Sequence, residues 1–185
     1  MRRVRLALVA GLLLLLGGCA GGLLDPASVP PPAPPATTAA AVAPAQPSVS
    51  AKMVCEPEAQ DDITEALGIA AQRVETPTWK DHLYSCRYDY AGGSFLMSVK
   101  ELADDLTTTD YYEALGKQLG NTQSIDGLGQ GAFITPNGSV VVRKDFKVLL
   151  VDDSTLPPKL ASPPLTPSNV AMLVAKTIMG CWSGT

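Results

Sequence analysis

Eight prolines (Pro26, Pro30, Pro31, Pro32, Pro34, Pro35, Pro44 and Pro47) crowd the stretch from Gly21 to Ser50, set among alanine, threonine and valine. Proline fixes φ and removes a backbone donor, so neither a helix interior nor a sheet ladder can run through such a segment. The extended polyproline form makes it a semi-stiff spacer of roughly 3 Å per residue. Any packed core is therefore confined to what lies on either side. Upstream, Arg2, Arg3 and Arg5 precede an apolar run from Leu6 to Leu16, about half of the roughly 20 residues that a bilayer-crossing helix needs. That pattern fits the apolar region of a cleaved signal peptide, not a packed element. The core belongs downstream, between about Val54 and Trp182, which is enough chain for one small domain. The expected division is a signal peptide over residues 1–18, a disordered tether over 19–50 and a globular domain over 51–185.

The apolar run ends in Leu16-Gly17-Gly18-Cys19, which resembles the bacterial lipobox, where small residues let the signal peptidase cut once the cysteine thiol carries a diacylglycerol. The resemblance implies a mature chain that begins at an acylated Cys19, carrying palmitate-type chains, on the extracytoplasmic face of the cell membrane. An ordinary secretory signal cut nearby is the alternative. One acyl chain, at about 0.8 kcal/mol per buried methylene, holds a protein only marginally, whereas two or three on one cysteine attach it durably. The tether then lifts the domain clear of the lipid heads, and its Thr37, Thr38, Ser48 and Ser50 offer hydroxyls for sugars.

Loss of the leader leaves 11 basic residues against 18 acidic ones, a formal charge of −7. Nucleic-acid binding depends on Lys and Arg neutralising phosphate, and an anionic membrane face asks for the same, so both are disfavoured. The acidity serves solubility.

Within the domain, Pro57 opens a short helix with Ala59, Ile63, Ala66 and Leu67 at helical spacing and Gly68 as its stop. Tyr84, Cys86, Tyr88 and Tyr90 alternate with Ser85, Arg87 and Asp89 as a half-buried strand, and Gly92-Gly93 turns it into Phe95, Met97 and Val99. A second helix is expected near Asp110, with Glu113 three residues on and Gly120 at its end. Ala132 to Ile134 pairs across Asn137-Gly138 with Val140 to Arg143, and Lys147 to Val151 returns beside that strand. Thr166 and Pro167 open a last helix striped by Val170, Leu173, Val174, Thr177, Ile178 and Cys181. The order α-β-β-α-β-β-β-α predicts an α+β domain, an antiparallel sheet packed by helices.

The residues that carry chemistry are sparse. His82 is the only histidine and no cysteines stand at C-x-x-C spacing, so no metal or other cofactor is expected. A serine or cysteine nucleophile needs a base, and no G-x-S-x-G elbow presents one. Asp61-Asp62, Asp104-Asp105 and Asp152-Asp153 read as solvated charge in turns and helix starts, not as paired glycosidase carboxylates. Gly127-Leu128-Gly129-Gln130-Gly131 precedes strand-forming residues instead of a long helix, so its glycines read as backbone turning, not as a phosphate cradle. The chain is expected not to be an enzyme. The aromatics are the sharper candidates: Trp79, Tyr84, Tyr88, Tyr90, Tyr111 and Tyr112 can supply a core, or a face that stacks a sugar or lines a groove for an acyl chain.

With Cys19 acylated, Cys55, Cys86 and Cys181 remain, and outside the cytoplasm one pair should oxidise. The spacing leaves all three pairings open. The lipobox, the proline-alanine tether, Cys55 just before the first helix, Tyr84-Ser85-Cys86-Arg87-Tyr88 and Gly127-Leu128-Gly129-Gln130-Gly131-Ala132 together resemble small lipoproteins of actinobacteria, including mycobacteria, whose domains are similar to the PsbP-like α/β fold. That resemblance implies a Cys55–Cys86 disulfide and leaves Cys181 as the spare. It carries no enzymatic residues. It implies a non-catalytic domain that binds an envelope protein or assists envelope assembly, with a lipid- or glycan-binding carrier or sensor as the alternative.

Overall fold

The computed structural model describes residues 41–182 except Asn121 and Ser162; the expected signal peptide, Cys19 and the tether up to residue 40 lie outside them. Helix α1 (Val49–Met53) starts where the Ser48 hydroxyl accepts from the Ala51 amide at 3.1 Å. Helix α2 (Pro57–Leu67) has proline in its first turn and stops at Gly68, whose φ of 66° is the left-handed cap that glycine adopts without strain. Strands β1 (Arg73–Val74) and β2 (Thr78–Lys80) precede the long hairpin of β3 (Leu83–Tyr90) and β4 (Gly93–Glu101). The turn of that hairpin is Ala91-Gly92, with Gly93 already paired to Tyr90. Helix α3 (Asp105–Leu119), strands β5 (Gln123–Ser124), β6 (Gly131–Ile134), β7 (Val140–Lys144) and β8 (Lys147–Thr155), and helix α4 (Pro167–Trp182) complete the domain. Among the described residues this is an antiparallel sheet of eight strands with four helices, the α+β class expected.

Three boundaries differ from expectation. Helix α3 begins five residues before Asp110. Its cap is Asp104, whose carboxylate accepts the Thr107 amide at 2.8 Å while the Thr107 hydroxyl faces the Asp104 amide. The run Thr107-Thr108-Thr109 disguises this helix as extended chain, because β-branched residues favour strands. Here the hydroxyls of Thr108 and Thr109 bond back to the carbonyls of Asp104 and Asp105, at 2.5 and 2.8 Å, and the helix tolerates them. The ordered domain also begins before residue 51, since residues 44–50 are tied to it by side chains described below. Finally, β8 runs four residues past Val151.

The sheet order is β1-β3-β4-β8-β7-β6-β5, with β2 also on β3. Because side chains alternate along each strand, its two faces have separate cores. On one face Tyr88, Phe95, Met97, Val99, Leu149 and Val151 meet α2 and α4. The buried line of α4 is Val170, Ala171, Val174, Ala175, Ile178, Met179 and Trp182, rotated from the expected stripe so that Leu173, Thr177 and Cys181 lie at its margin. On the other face Phe133, Val141 and Val148 meet Tyr111, Tyr112, Leu115 and Leu119 of α3. That helix covers the β7–β8 half only, which leaves Ser85, Arg87 and Leu96 of β3 and β4 only partly buried.

Cys55 and Cys86 form a disulfide with Cα atoms 6.0 Å apart, joining the start of α2 to the centre of β3. Cys181 is free and half-buried, its thiol donating to the Asp62 carboxylate of α2 at 3.4 Å. Burial, followed by that carboxylate, pushes its pKa up, the opposite of what a reactive thiolate needs.

Candidate binding groove

The six aromatic residues singled out in the sequence do not share a face. Tyr84, Tyr88 and Tyr90 belong to the α2/α4 core. Tyr88 stacks on Phe95 with centroids 4.8 Å apart and donates its hydroxyl to the Val54 carbonyl at 2.7 Å. Tyr90 lies 5.7 Å from the same Phe95 ring, and its buried hydroxyl has no hydrogen-bond partner. Burial raises the pKa of both phenols. The space between sheet and helices is thus filled by protein, and a ligand there would have to displace it.

Trp79 has a different task. Its indole Nε1 donates to the Ala45 carbonyl at 3.2 Å and its ring meets His82 edge-on at 5.9 Å. His82 Nδ1 lies 2.8 Å from the Pro44 carbonyl, an acceptor, so that nitrogen carries the hydrogen. The buried Glu101 accepts the Ser48 amide at 3.0 Å, and Trp182 Nε1 donates to the Ser50 carbonyl at 2.9 Å. Four side chains, from β2, the β2–β3 turn, β4 and α4, thereby fix residues 44–50 against the domain. Sequence reasoning missed this clasp because its side chains are scattered and their partners are backbone carbonyls and one backbone amide, which no pattern announces.

Tyr111 and Tyr112 lie on α3, across the sheet from the other tyrosines. Tyr111 sits under the Lys100 ammonium, 5.8 Å from the ring centroid. Tyr112 packs on Phe133 of β6 with centroids 5.0 Å apart and planes tilted by 51°. Burial raises the pKa of both, and the nearby Arg143 partly offsets this for Tyr112. Arg143 itself braces the first turns of α3, through Asp105 at 3.3 Å and a short bond to the Thr109 hydroxyl.

Beside this aromatic pair a surface groove of about 570 Å³ runs between α3 and the β5–β6 edge. Tyr112, Phe133 and Gly116 form its floor. Glu113 and Lys117 line the helix side, and Thr122 and Ser124 the strand side. Gly116 gives the groove its depth, because a Cβ there would stand 3.4 Å from the Phe133 ring and a longer side chain would fill the space. An aromatic floor with a rim of hydroxyls and both charges suits a polar ligand with an apolar face. Of the six aromatics, only Tyr112 lines it. Gly116, Lys117, Thr122, Ser124 and Phe133 were invisible as a set, since it takes the turn after α3 to bring β5 beside the helix.

The remaining motifs are structural. Gly127 and Gly129 have φ of 72° and 62°. A Cβ on Gly129 would stand 2.5 Å from the Arg143 carbonyl, so the glycine-rich run turns the chain tightly against β7. Of the acidic pairs, Asp104 stands at a helix start as expected, whereas Asp153 is 1% exposed, with one oxygen bonded to the Ser139 hydroxyl at 2.8 Å and the other without a partner. The alternation that puts β8 residues on the α4 face carries Asp153 inward with Leu149 and Val151. Burial is the main cause that raises its pKa. Among the described residues no group of His, Cys, Asp and Glu could hold a metal ion, and no helix is long and apolar enough to cross a membrane. Comparison of the chain with protein-family models, curated proteins and solved structures gives no match.

Proposed function

We propose that this chain is a lipoprotein of the cell envelope, held at the extracytoplasmic membrane surface through acylated Cys19, whose domain acts by binding an envelope protein and not by catalysis. The groove beside α3 is the observation that carries the binding reading. It is a formed surface feature, with its floor packed in the Tyr112–Phe133 contact and its rim polar. The groups best suited to chemistry are engaged in holding the fold: His82 on the Pro44 carbonyl, Asp104 on the α3 amides, and Ser139 on Asp153. The leader, the cysteine that follows it and the likeness to small actinobacterial lipoproteins with PsbP-like domains support the location and the non-catalytic role. A second reading, a glycan-binding carrier or sensor, is favoured by the Tyr112–Phe133 floor, on which a sugar ring can lie.

The test places a photo-activatable side chain at Ser124 in the full chain, in cells, and compares it with the same chain carrying Gly116→Leu. A recurrent protein adduct that Gly116→Leu abolishes supports the first reading. Adducts to glycan alone support the second. Adducts that are the same with the groove filled refute both.

A further inference from the structure

We propose that the end of the sheet formed by the β2–β3 turn, the β4–α3 connection and the β7–β8 turn docks on the lipid bilayer, with Phe146 and Leu106 seated at the headgroup boundary. The proposal rests on the reading of this chain as membrane-anchored and says which surface faces the membrane.

Backbone pairing gathers the parts of this end. The Glu101 amide bonds the His82 carbonyl at 2.9 Å, and the Leu102 amide bonds the Phe146 carbonyl at 2.8 Å. The tether reaches the domain here, through the clasp of residues 44–50 on Trp79, His82, Glu101 and Trp182. The described chain begins at Ala41, three residues before the first clasp contact at Pro44. The large apolar side chains left most exposed among the described residues are gathered here too: Leu106 is 70% and Phe146 50% exposed, and Val42 (85%) and Val49 (78%) flank the clasp. Exposed apolar side chains gathered at one place mark an interaction site.

Phe146 stands at a hairpin tip. Lys144 pairs with Lys147, so Asp145-Phe146 is a two-residue hairpin turn with Asp145 at a φ of 53°. Such a turn puts residue 146 at the extreme end of the sheet. Lys144 and Lys147 flank it, the first with its ammonium on the Trp182 carbonyl at 2.8 Å and the second with its ammonium over the Trp182 ring, 6.0 Å from the centroid. At the same end Lys80, Lys100, Arg143, Lys144 and Lys147 stand with Asp81, Glu101, Asp104, Asp105 and Asp145, five charges of each sign. This end is thus close to neutral on a mature chain of charge −7, and insertion is driven by apolar burial and not by anionic lipid. Two weak contacts suffice because the anchor holds the tip at high local concentration. The tether, at roughly 3 Å per residue, still permits stand-off, so the domain alternates between docked and extended positions.

The test reconstitutes the full chain in zwitterionic phosphatidylcholine vesicles containing brominated lipid, as Phe146→Trp and as Lys159→Trp, the latter in the loop after β8 at the far end of the sheet. Unchanged circular dichroism melts show that both variants fold. Flotation reports anchoring separately. The added tryptophan at 146, after subtraction of the unsubstituted chain, should be quenched at least about twofold more than that at 159, without loss in high salt, as apolar insertion requires. Equal quenching in a chain that floats overturns the docking and leaves the anchor standing. Failure to float refutes the anchor, and equal quenching at saturating lipid then refutes docking as well. Loss of the difference in high salt overturns the apolar mechanism.

Discussion

Tyr88 and Tyr90 differ in sequence by one intervening residue and in structure by one hydrogen bond, so removing each hydroxyl should move stability in opposite directions. Tyr88 is 1% exposed and donates to the carbonyl of Val54, a residue with no exposed surface. Tyr88→Phe loses a bond worth about 1 kcal/mol and leaves that carbonyl short of its partner, for a total cost of about 2–3 kcal/mol. Tyr90 is 4% exposed and its hydroxyl is buried without a partner. Tyr90→Phe removes a desolvated group that gained nothing, so it should be neutral or stabilising by about 1–2 kcal/mol. Both changes keep the ring, the stacking on Phe95 and the packing volume, so neither opens a cavity. The gap of about 2–5 kcal/mol corresponds to a separation of urea midpoints on the order of 1–2 M. Urea melts of the two variants beside the parent, with the disulfide intact, check it. Equal destabilisation by both would refute the reasoning, since it would mean that Tyr90 also holds a partner or that neither tyrosine is core.

Other outcomes follow from single contacts. Replacing Cys55 and Cys86 together by alanine should cost about 3–4 kcal/mol for a closed loop with a sequence separation of 31 residues, read as a urea midpoint that no longer responds to reductant. Asp104→Ala should lower the melting temperature at neutral pH. The Thr107 amide holds the Asp104 carboxyl below its ordinary value, so its contribution is present above pH 3.8 and lost as pH falls through the lowered folded value; the gap between parent and variant should therefore close in acid. Asp153 has the opposite sign. Its folded pKa is raised by burial, so the parent is relieved of the penalty below pH 3.8 and loses stability as pH rises through the raised value, by up to about 1.4 kcal/mol per unit, while Asp153→Asn should not. A pH-independent difference between the two melts would contradict that assignment.

What the sequence made legible was set by period. The alternation through Tyr84 to Tyr90 and the three-four spacing in α2 and α4 report burial on one side, and the fold class and the order of the longer elements follow from them, while α1, β1, β2 and β5 were not foreseen. The start of α3 was misplaced because propensity weighs against Thr107 to Thr109, while the capping bonds that rescue them depend on side-chain geometry. β1, β2 and β5 have two or three residues each, too few to express a period. The groove was partly visible in Tyr112 but not as a site, because its floor joins Tyr112 to Phe133, 21 residues on along the chain. Asp152-Asp153 looked like solvated charge because a doublet of acids carries no sign of which member the strand turns inward.

Location, tether and docking all rest on Cys19 becoming the lipidated first residue of the mature chain. Intact and peptide mass spectrometry of the protein extracted from membranes tests this most directly. The account predicts a chain that begins at Cys19 and carries a diacylglycerol with or without an added acyl group, with Cys55 and Cys86 joined and Cys181 free. An unmodified Cys19, or a mature N-terminus elsewhere, would contradict it.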